Sequence, residues 1–288
     1  MTKLAANLTM LYNEVPFLER FERAARDGFT AVEFLFPYAW PAEELRRRLD
    51  GNGLQLVLHN LPAGNWDGGE RGIACHPDRT AEFREGVATA IGYARTLGVS
   101  QLNCLAGKAP AGVPDAVLRQ TLVDNLRYAA AELKKAGLKL LVEPINTFDI
   151  PGFYLHGSAQ TLSVLDQVGF DNAYLQYDIY HMQRMEGELA ATMQAHLPRI
   201  AHIQLADNPG RSVTNAWPEL AQDLLSEVGG ADWESAVFVE HYFPGSYKGG
   251  KIEEVFDLVE FDISRDGFPH PRWRRLLTGT TRGVAREG

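Results

Sequence analysis

Leu140-Leu141-Val142-Glu143, Tyr174-Leu175-Gln176-Tyr177-Asp178 and Ala236-Val237-Phe238-Val239-Glu240 share one pattern: an apolar run that stops at an acid. Ala201-His202-Ile203-Gln204-Leu205 repeats the pattern with Gln204 in the acid's place. Short continuous apolar runs of this kind suit strands buried on both faces, as in a parallel sheet. A buried carboxylate is costly unless it is paired or bound to a cation. Acids at matching strand ends therefore point to convergence on a metal ion or a shared proton-transfer site. In a barrel of parallel strands those ends form one face, and that face carries the chemistry.

Working outward, strand-like and helix-like segments alternate along the chain. Strands are expected over residues 4–10, 31–36, 54–58, 101–105, 139–143, 173–178, 201–205 and 236–240. Helices are expected over 17–25, 41–49, 80–97, 114–136, 186–196 and 218–228, and from Ser158, read as an N-cap, to Val168. Eight β/α units at a spacing of roughly 30 residues give an α/β fold, a (β/α)8 TIM barrel. A doubly wound sheet would want a glycine fingerprint straight after an early strand, and none is present. The 288 residues suit one barrel or two smaller domains. The reading is a single barrel domain over 1–260 and a C-terminal extension over 261–288, the latter basic through Arg272, Arg274, Arg275, Arg282 and Arg286.

Composition narrows the partners. A net charge of −9 leaves no basic surplus to replace the counterions of a nucleic acid. Two cysteines, Cys75 and Cys104, imply no disulfide framework. No stretch is long and apolar enough to span a membrane, and the N-terminus makes a poor signal peptide. A cytoplasmic enzyme acting on a small molecule is expected, with a homo-oligomer left open.

Several strings carry a family resemblance. They include Ala6-Asn7-Leu8-Thr9-Met10-Leu11, Val32-Glu33-Phe34-Leu35-Phe36-Pro37 and His59-Asn60-Leu61-Pro62-Ala63-Gly64. Gly69-Glu70-Arg71-Gly72-Ile73-Ala74-Cys75, Glu143-Pro144-Ile145-Asn146, Gln176-Tyr177-Asp178-Ile179-Tyr180-His181-Met182-Gln183-Arg184 and Ala206-Asp207-Asn208-Pro209 complete them. From Ala6 to Pro209 the sequence resembles the hydroxypyruvate isomerase family, within the xylose-isomerase-like barrels. The resemblance weakens after Arg211, where Ser212-Val213-Thr214-Asn215-Ala216-Trp217 replaces the family's usual loop.

The resemblance implies an isomerase that interconverts hydroxypyruvate and 2-hydroxy-3-oxopropanoate through an enediolate. A 2-oxo-tetronate isomerase and a ketose 3-epimerase are the enzymatic alternatives. Glu143 and Glu240 would be the catalytic acid–base pair. Glu143, Asp178, Gln204 and Glu240 would hold a divalent metal, and an all-oxygen set favours Mg²⁺ or Mn²⁺. His181, His59, Arg71 and Asn7 would contact the small hydroxy-oxo acid. Arg71 would take its carboxylate, on a glycine-flanked loop read as mobile and able to close over the site. Arg184, Arg199 and Arg211 are rivals for that carboxylate, and Asp149 is either a second acid near the proton path or a loop cap. Two readings stand outside this class. The same barrel hosts metal-dependent DNA-repair endonucleases, which want several histidine ligands and a basic groove. A catalytically impaired barrel with an assembly role is the other.

Overall fold

A computed structural model describes residues 3–206 and 236–239. Eight strands close into one barrel in chain order, every pairing parallel. They are β1 (Lys3–Asn7), β2 (Ala31–Glu33), β3 (Gln55–Asn60), β4 (Gln101–Cys104), β5 (Lys139–Val142), β6 (Ala173–Asp178), β7 (Ile200–Leu205) and β8 (Ala236–Val239). The helices are α1 (Arg20–Arg26), α2 (Ala42–Gly51), α3 (Thr80–Leu97), α4 (Asp115–Lys135), α5 (Ser158–Val168), α6 (Ile179–Met185) and α7 (Leu189–His196). The expected helix over 218–228 and the boundary at 260/261 lie outside the described residues.

The helices form where the apolar spacing is helical. In α3, Phe83, Val87, Ala90, Ala94 and Leu97 recur every three or four residues and are the buried positions. Gly98 then ends the helix at φ +74°, and its N–H bonds the Ala94 carbonyl. In α4, Leu118, Leu122, Leu126, Ala129 and Leu133 form the same kind of stripe. These stripes pack against the outside of the barrel in one large apolar cluster. A second, small cluster of Leu58, Leu141 and Ala201 stands apart from it.

Two expectations are corrected. Ser158 is not the N-cap of α5. Gly157 is, in extended conformation, and the Glu186 carboxylate accepts from Ser158 N at 2.5 Å from another part of the chain. No helix starts at Glu186. Gly187 and Glu188 both have positive φ, which separates α6 from α7. Instead Asp178 caps α6, its Oδ1 accepting from His181 N at 3.1 Å.

Candidate active site

A continuous polar layer runs through the barrel interior, from Gln101 at the start of β4 and His202 within β7 to side chains at the C-terminal ends of β1 and β2. Asn7 ends β1 and Glu33 ends β2. Glu33 Oε1 accepts from Asn7 Nδ2 and Gln204 Nε2, both at 2.8 Å. Its Oε2 lies 2.9 Å from His202 Nε2, and Gln101 Nε2 sits 3.0 Å from His202 Nδ1. Gln176 Nε2 donates to Gln204 Oε1 at 2.7 Å. All six side chains are buried. Placing so many polar groups inside a barrel is tolerable because most of them satisfy one another; among the described residues, Gln176 Oε1 has no hydrogen-bond partner.

Next to this layer lie Glu143, Asp178 and His181. Glu143 Oε2 accepts from Asn103 Nδ2 at 2.9 Å, and Asn103 also donates to Asn60 Oδ1 at 3.2 Å. His181 Nε2 stands 3.5 Å from Asp178 Oδ2 and 3.9 Å from Glu143 Oε1. One ligand atom from each of the three falls within 4.8 Å of the others. Burial puts all three in a setting of reduced dielectric, where the carboxylates gain most from a bound cation.

A cavity of about 490 Å³ opens over this cluster. Glu143, His181 and Gln204 line its floor, with Asn60 and the two arginines Arg71 and Arg184 also on its wall. The arginines differ in electrostatic standing. Arg184 Nη1 bonds Asp149 Oδ1 at 2.5 Å and the Tyr180 hydroxyl at 2.7 Å. Arg71 Nη1 donates to the backbone carbonyls of Trp66 and Glu70 at 2.9 and 2.7 Å, and its guanidinium lies 4.1 Å from the centre of the Trp66 ring. Arg71 thus brings a positive charge into the cavity with carbonyls and an aromatic face as its partners, a setting suited to an anion.

The residues 21–257 match the family described as xylose isomerase-like TIM barrel. The chain belongs to that family. Relatives within it narrow the placing. Over 79% of this chain and 88% of its own length, a hydroxypyruvate isomerase of Escherichia coli is 57% identical. A 2-oxo-tetronate isomerase of Cupriavidus necator is 44% identical over 79% of this chain and 87% of its own. A solved structure from Brucella melitensis described as an AP endonuclease, family 2, superposes with a TM-score of 0.79 at 36% identity, covering 85% of this chain and 95% of that one.

In this xylose isomerase-like barrel, some of the sequence-predicted residues described meet at the cavity and others do not. Glu143, Asp178, Gln204, His181 and Arg71 come together around one cavity or directly beneath it. Asn7 is fully buried in the polar layer, bonded to Glu33, and does not line the cavity. His59 does not line it either: β3 runs two residues further than expected, to Asn60, and Asn60 is the residue on the cavity wall. His59 meets Tyr38, whose ring packs edge-on against Tyr93 of α3. Burial depresses its pKa to about 4, so it is neutral near pH 7. Glu240, the second expected glutamate, and Arg211 lie outside the described residues. Arg199 pairs with Asp166.

The loop that carries Arg71 is docked rather than free to swing. Gly72 N bonds Ala63 O at 3.0 Å, Cys75 N bonds Ala106 O at 2.8 Å, and Lys108 Nζ bonds Gly69 O at 3.0 Å. Glu70 pairs with Arg79, which holds its carboxyl below the usual range. The loop's glycine is needed for contact. Gly72 has φ +110°, and a Cβ there would sit 2.3 Å from the Leu105 carbonyl oxygen. Gly107 answers it across the gap, with φ +100° and a Cβ position 2.4 Å from the Gly72 oxygen.

Asp149 resolves as an anchor. Asn146 Nδ2, the Tyr180 hydroxyl and Arg184 all donate to it. Burial alone would raise its pKa, but these bonds and the Arg184 charge outweigh that and hold it below the ordinary range. The sequence reading missed Asn103 and Asn146 as site residues. For Asn103 a signal existed: Gln101 and Asn103 alternate in an otherwise apolar strand, which places two polar groups on one face. Asn146 had no signal beyond lying in the quoted Glu143-Pro144-Ile145-Asn146 string.

Glu143 and Asp178 offer two carboxylates within reach of one another and of the His181 ring, a cluster that could hold a metal ion. Among the described residues, no helix is long and apolar enough to cross a membrane.

Proposed function

We propose that this isomerase interconverts hydroxypyruvate and 2-hydroxy-3-oxopropanoate. The 57% identity to the Escherichia coli hydroxypyruvate isomerase over 88% of that protein carries the reading. The cavity's chemistry agrees with it. Arg71 binds the substrate carboxylate. Glu143, oriented by Asn103, faces the reacting carbons and takes the proton from C3. The electrons of the broken C3–H bond form an enediolate across C2 and C3. A proton then returns to C2 and the hydroxyl proton passes from O3 to O2, so the atoms balance with no co-reactant. Glu240 is the second acid–base group in this scheme, as in the family resemblance. His181, which lies beside the carboxylate pair, donates a hydrogen bond in this scheme to the oxygen on which charge develops.

Glu143, Asp178, Gln204 and Glu240 would hold Mg²⁺ or Mn²⁺. When bound, such an ion supplies positive charge for the developing oxyanion. Gln204 is kept in place for this by Gln176 and Glu33.

A second reading keeps the chemistry and lengthens the substrate. The 44% identity to a 2-oxo-tetronate isomerase and a cavity of about 490 Å³ both leave room for one more carbon. A nucleic acid is not the proposed ligand despite the likeness to the Brucella melitensis structure. The net charge of −9 and the carboxylate-rich cluster oppose a phosphate backbone. A cytoplasmic setting is part of the proposal and rests on composition.

Proton NMR in D₂O tests this directly, with hydroxypyruvate and 2-oxo-tetronate offered separately, with Mg²⁺ or with chelator. Product formation, or deuterium entering at the hydroxyl-bearing carbon, supports the reading, and the faster substrate names the physiological one. No exchange with either acid in the presence of Mg²⁺ or Mn²⁺ overturns it.

A further inference from the structure

Asn146 lies three residues beyond Glu143, in the turn that follows β5. Both ends of its amide are occupied. Oδ1 accepts from the backbone N–H groups of Phe148 at 3.1 Å and Asp149 at 2.9 Å. Nδ2 donates to Asp149 Oδ2 at 3.0 Å and lies 2.7 Å from His181 Nδ1. Turning the amide over would set its oxygen against the Asp149 carboxylate and its nitrogen against two N–H donors. Three bonds therefore fix one orientation. Asp149 cannot drift to accommodate the alternative, because Tyr180 and Arg184 grip the same carboxylate.

The consequence falls on His181. A donor 2.7 Å from Nδ1 needs a lone pair there, so the ring's proton sits on Nε2. Nε2 is the atom that faces Asp178 and Glu143, at 3.5 and 3.9 Å. We propose that Asn146 is a positioning residue that fixes His181 as its Nε2–H tautomer, so that His181 meets the reacting oxygens as a hydrogen-bond donor and offers no lone pair to a cation. Glu143, Asp178 and His181 are all close enough to share an ion. The tautomer removes the nitrogen from that set and leaves it to oxygen donors. This deepens the proposed isomerase reading, which supplies the identity of the reacting oxygens, whereas the tautomer is a property of the protein alone.

The test is long-range ¹H–¹⁵N NMR on the full chain labelled at histidine, which separates protonated from unprotonated ring nitrogens. His181→Gln identifies the His181 signals by their loss. Expected in the wild-type protein are an unprotonated Nδ1 and a protonated Nε2, both before and after addition of MgCl₂. Asn146→Asp keeps an oxygen for the Phe148 and Asp149 N–H groups but sets an acceptor against Nδ1. It is expected to exchange the two nitrogen types and to lower kcat by roughly 10–100-fold, the usual effect of losing a partner that orients a site residue. A protonated Nδ1 in the wild type, loss of the Nε2 proton on adding Mg²⁺, or a folded Asn146→Asp protein with the wild-type pattern would each overturn the proposal. Should Asn146→Asp not fold, the wild-type spectra decide. The expected spectra with no turnover of either acid would leave the tautomer standing and remove the reaction assigned above.

Discussion

Replacing Glu33 by Gln changes one buried atom, and the polar layer shows what that atom does. Oε1 accepts from Asn7 and Gln204, and an amide oxygen can keep both bonds. Oε2 faces His202 Nε2 at 2.9 Å, and an NH₂ group there meets a donor. If His202 moves its proton to Nδ1 and Gln101 keeps its amide orientation, that proton meets the Gln101 NH₂ group 3.0 Å away. Glu33 and His202 are both essentially inaccessible to water, so with Gln101 in this orientation one donor is left unpaired wherever the proton sits. An unsatisfied buried polar group costs about 1–3 kcal/mol, and losing a charged acceptor adds to that. We expect Glu33→Gln to cost about 2–4 kcal/mol. At about 2–4 °C per kcal/mol for chains of this order of size, the melting temperature should fall by about 4–16 °C. The same logic predicts a rescue. Gln101→Glu puts an acceptor against Nδ1, so in the double variant His202 carries its proton on Nδ1 and both ends are satisfied. Urea unfolding followed by circular dichroism on the four proteins of this cycle measures the coupling, expected at about 1–3 kcal/mol in favour of the double variant. A single variant within about 0.5 kcal/mol of wild type, or strictly additive effects, would show that the proton sits elsewhere in this network.

Arg71→Ala should raise KM for the acid substrate by about 10–100-fold with a much smaller change in kcat, since a charge-assisted contact to a carboxylate contributes about 1.5–3 kcal/mol; an unchanged KM in steady-state assays would assign the carboxylate to Arg184 instead. Asp178→Asn should weaken Mn²⁺ binding by at least about tenfold in titration calorimetry, because it removes a charged ligand from the carboxylate pair; retained affinity would place the ion elsewhere. For His59 the folded pKa of about 4 lies below the ordinary value of 6.5, so the unfolded chain binds the proton more readily. Stability from this residue is full above pH 6.5 and is lost as pH falls from there to about 4, by up to about 1.4 kcal/mol per unit. His59→Asn should flatten the stability profile across that window, and an unaltered slope in urea titrations at several pH values would refute the assignment.

Much of this barrel is written locally. Short continuous apolar runs suit strands covered on both faces, and helical stripes such as Phe83, Val87, Ala90 and Ala94 between them supply the cover. The acids that close β5 and β6 could be placed on the catalytic face from their positions alone, because every strand of a parallel barrel points the same way. Other features were beyond one-dimensional reading. A side chain's face changes with every residue along a strand, so where β3 stops determined that Asn60, and not His59, reaches the cavity. The docked Gly72 loop depends on the Leu105 carbonyl, which no local pattern reveals.

The sequence by itself determined the parallel barrel, the face that bears its acids and the family to which it belongs, because hydrophobic periodicity and strand direction are properties of short segments. Only the tertiary structure decided which polar groups meet: Glu33 with His202, Glu143 with Asn103, and Asn146 with His181. Those pairs are 169, 40 and 35 residues apart along the chain. A hydrogen bond needs its two atoms within about 3 Å in a set orientation, and only closure of the barrel brings such distant residues to that distance.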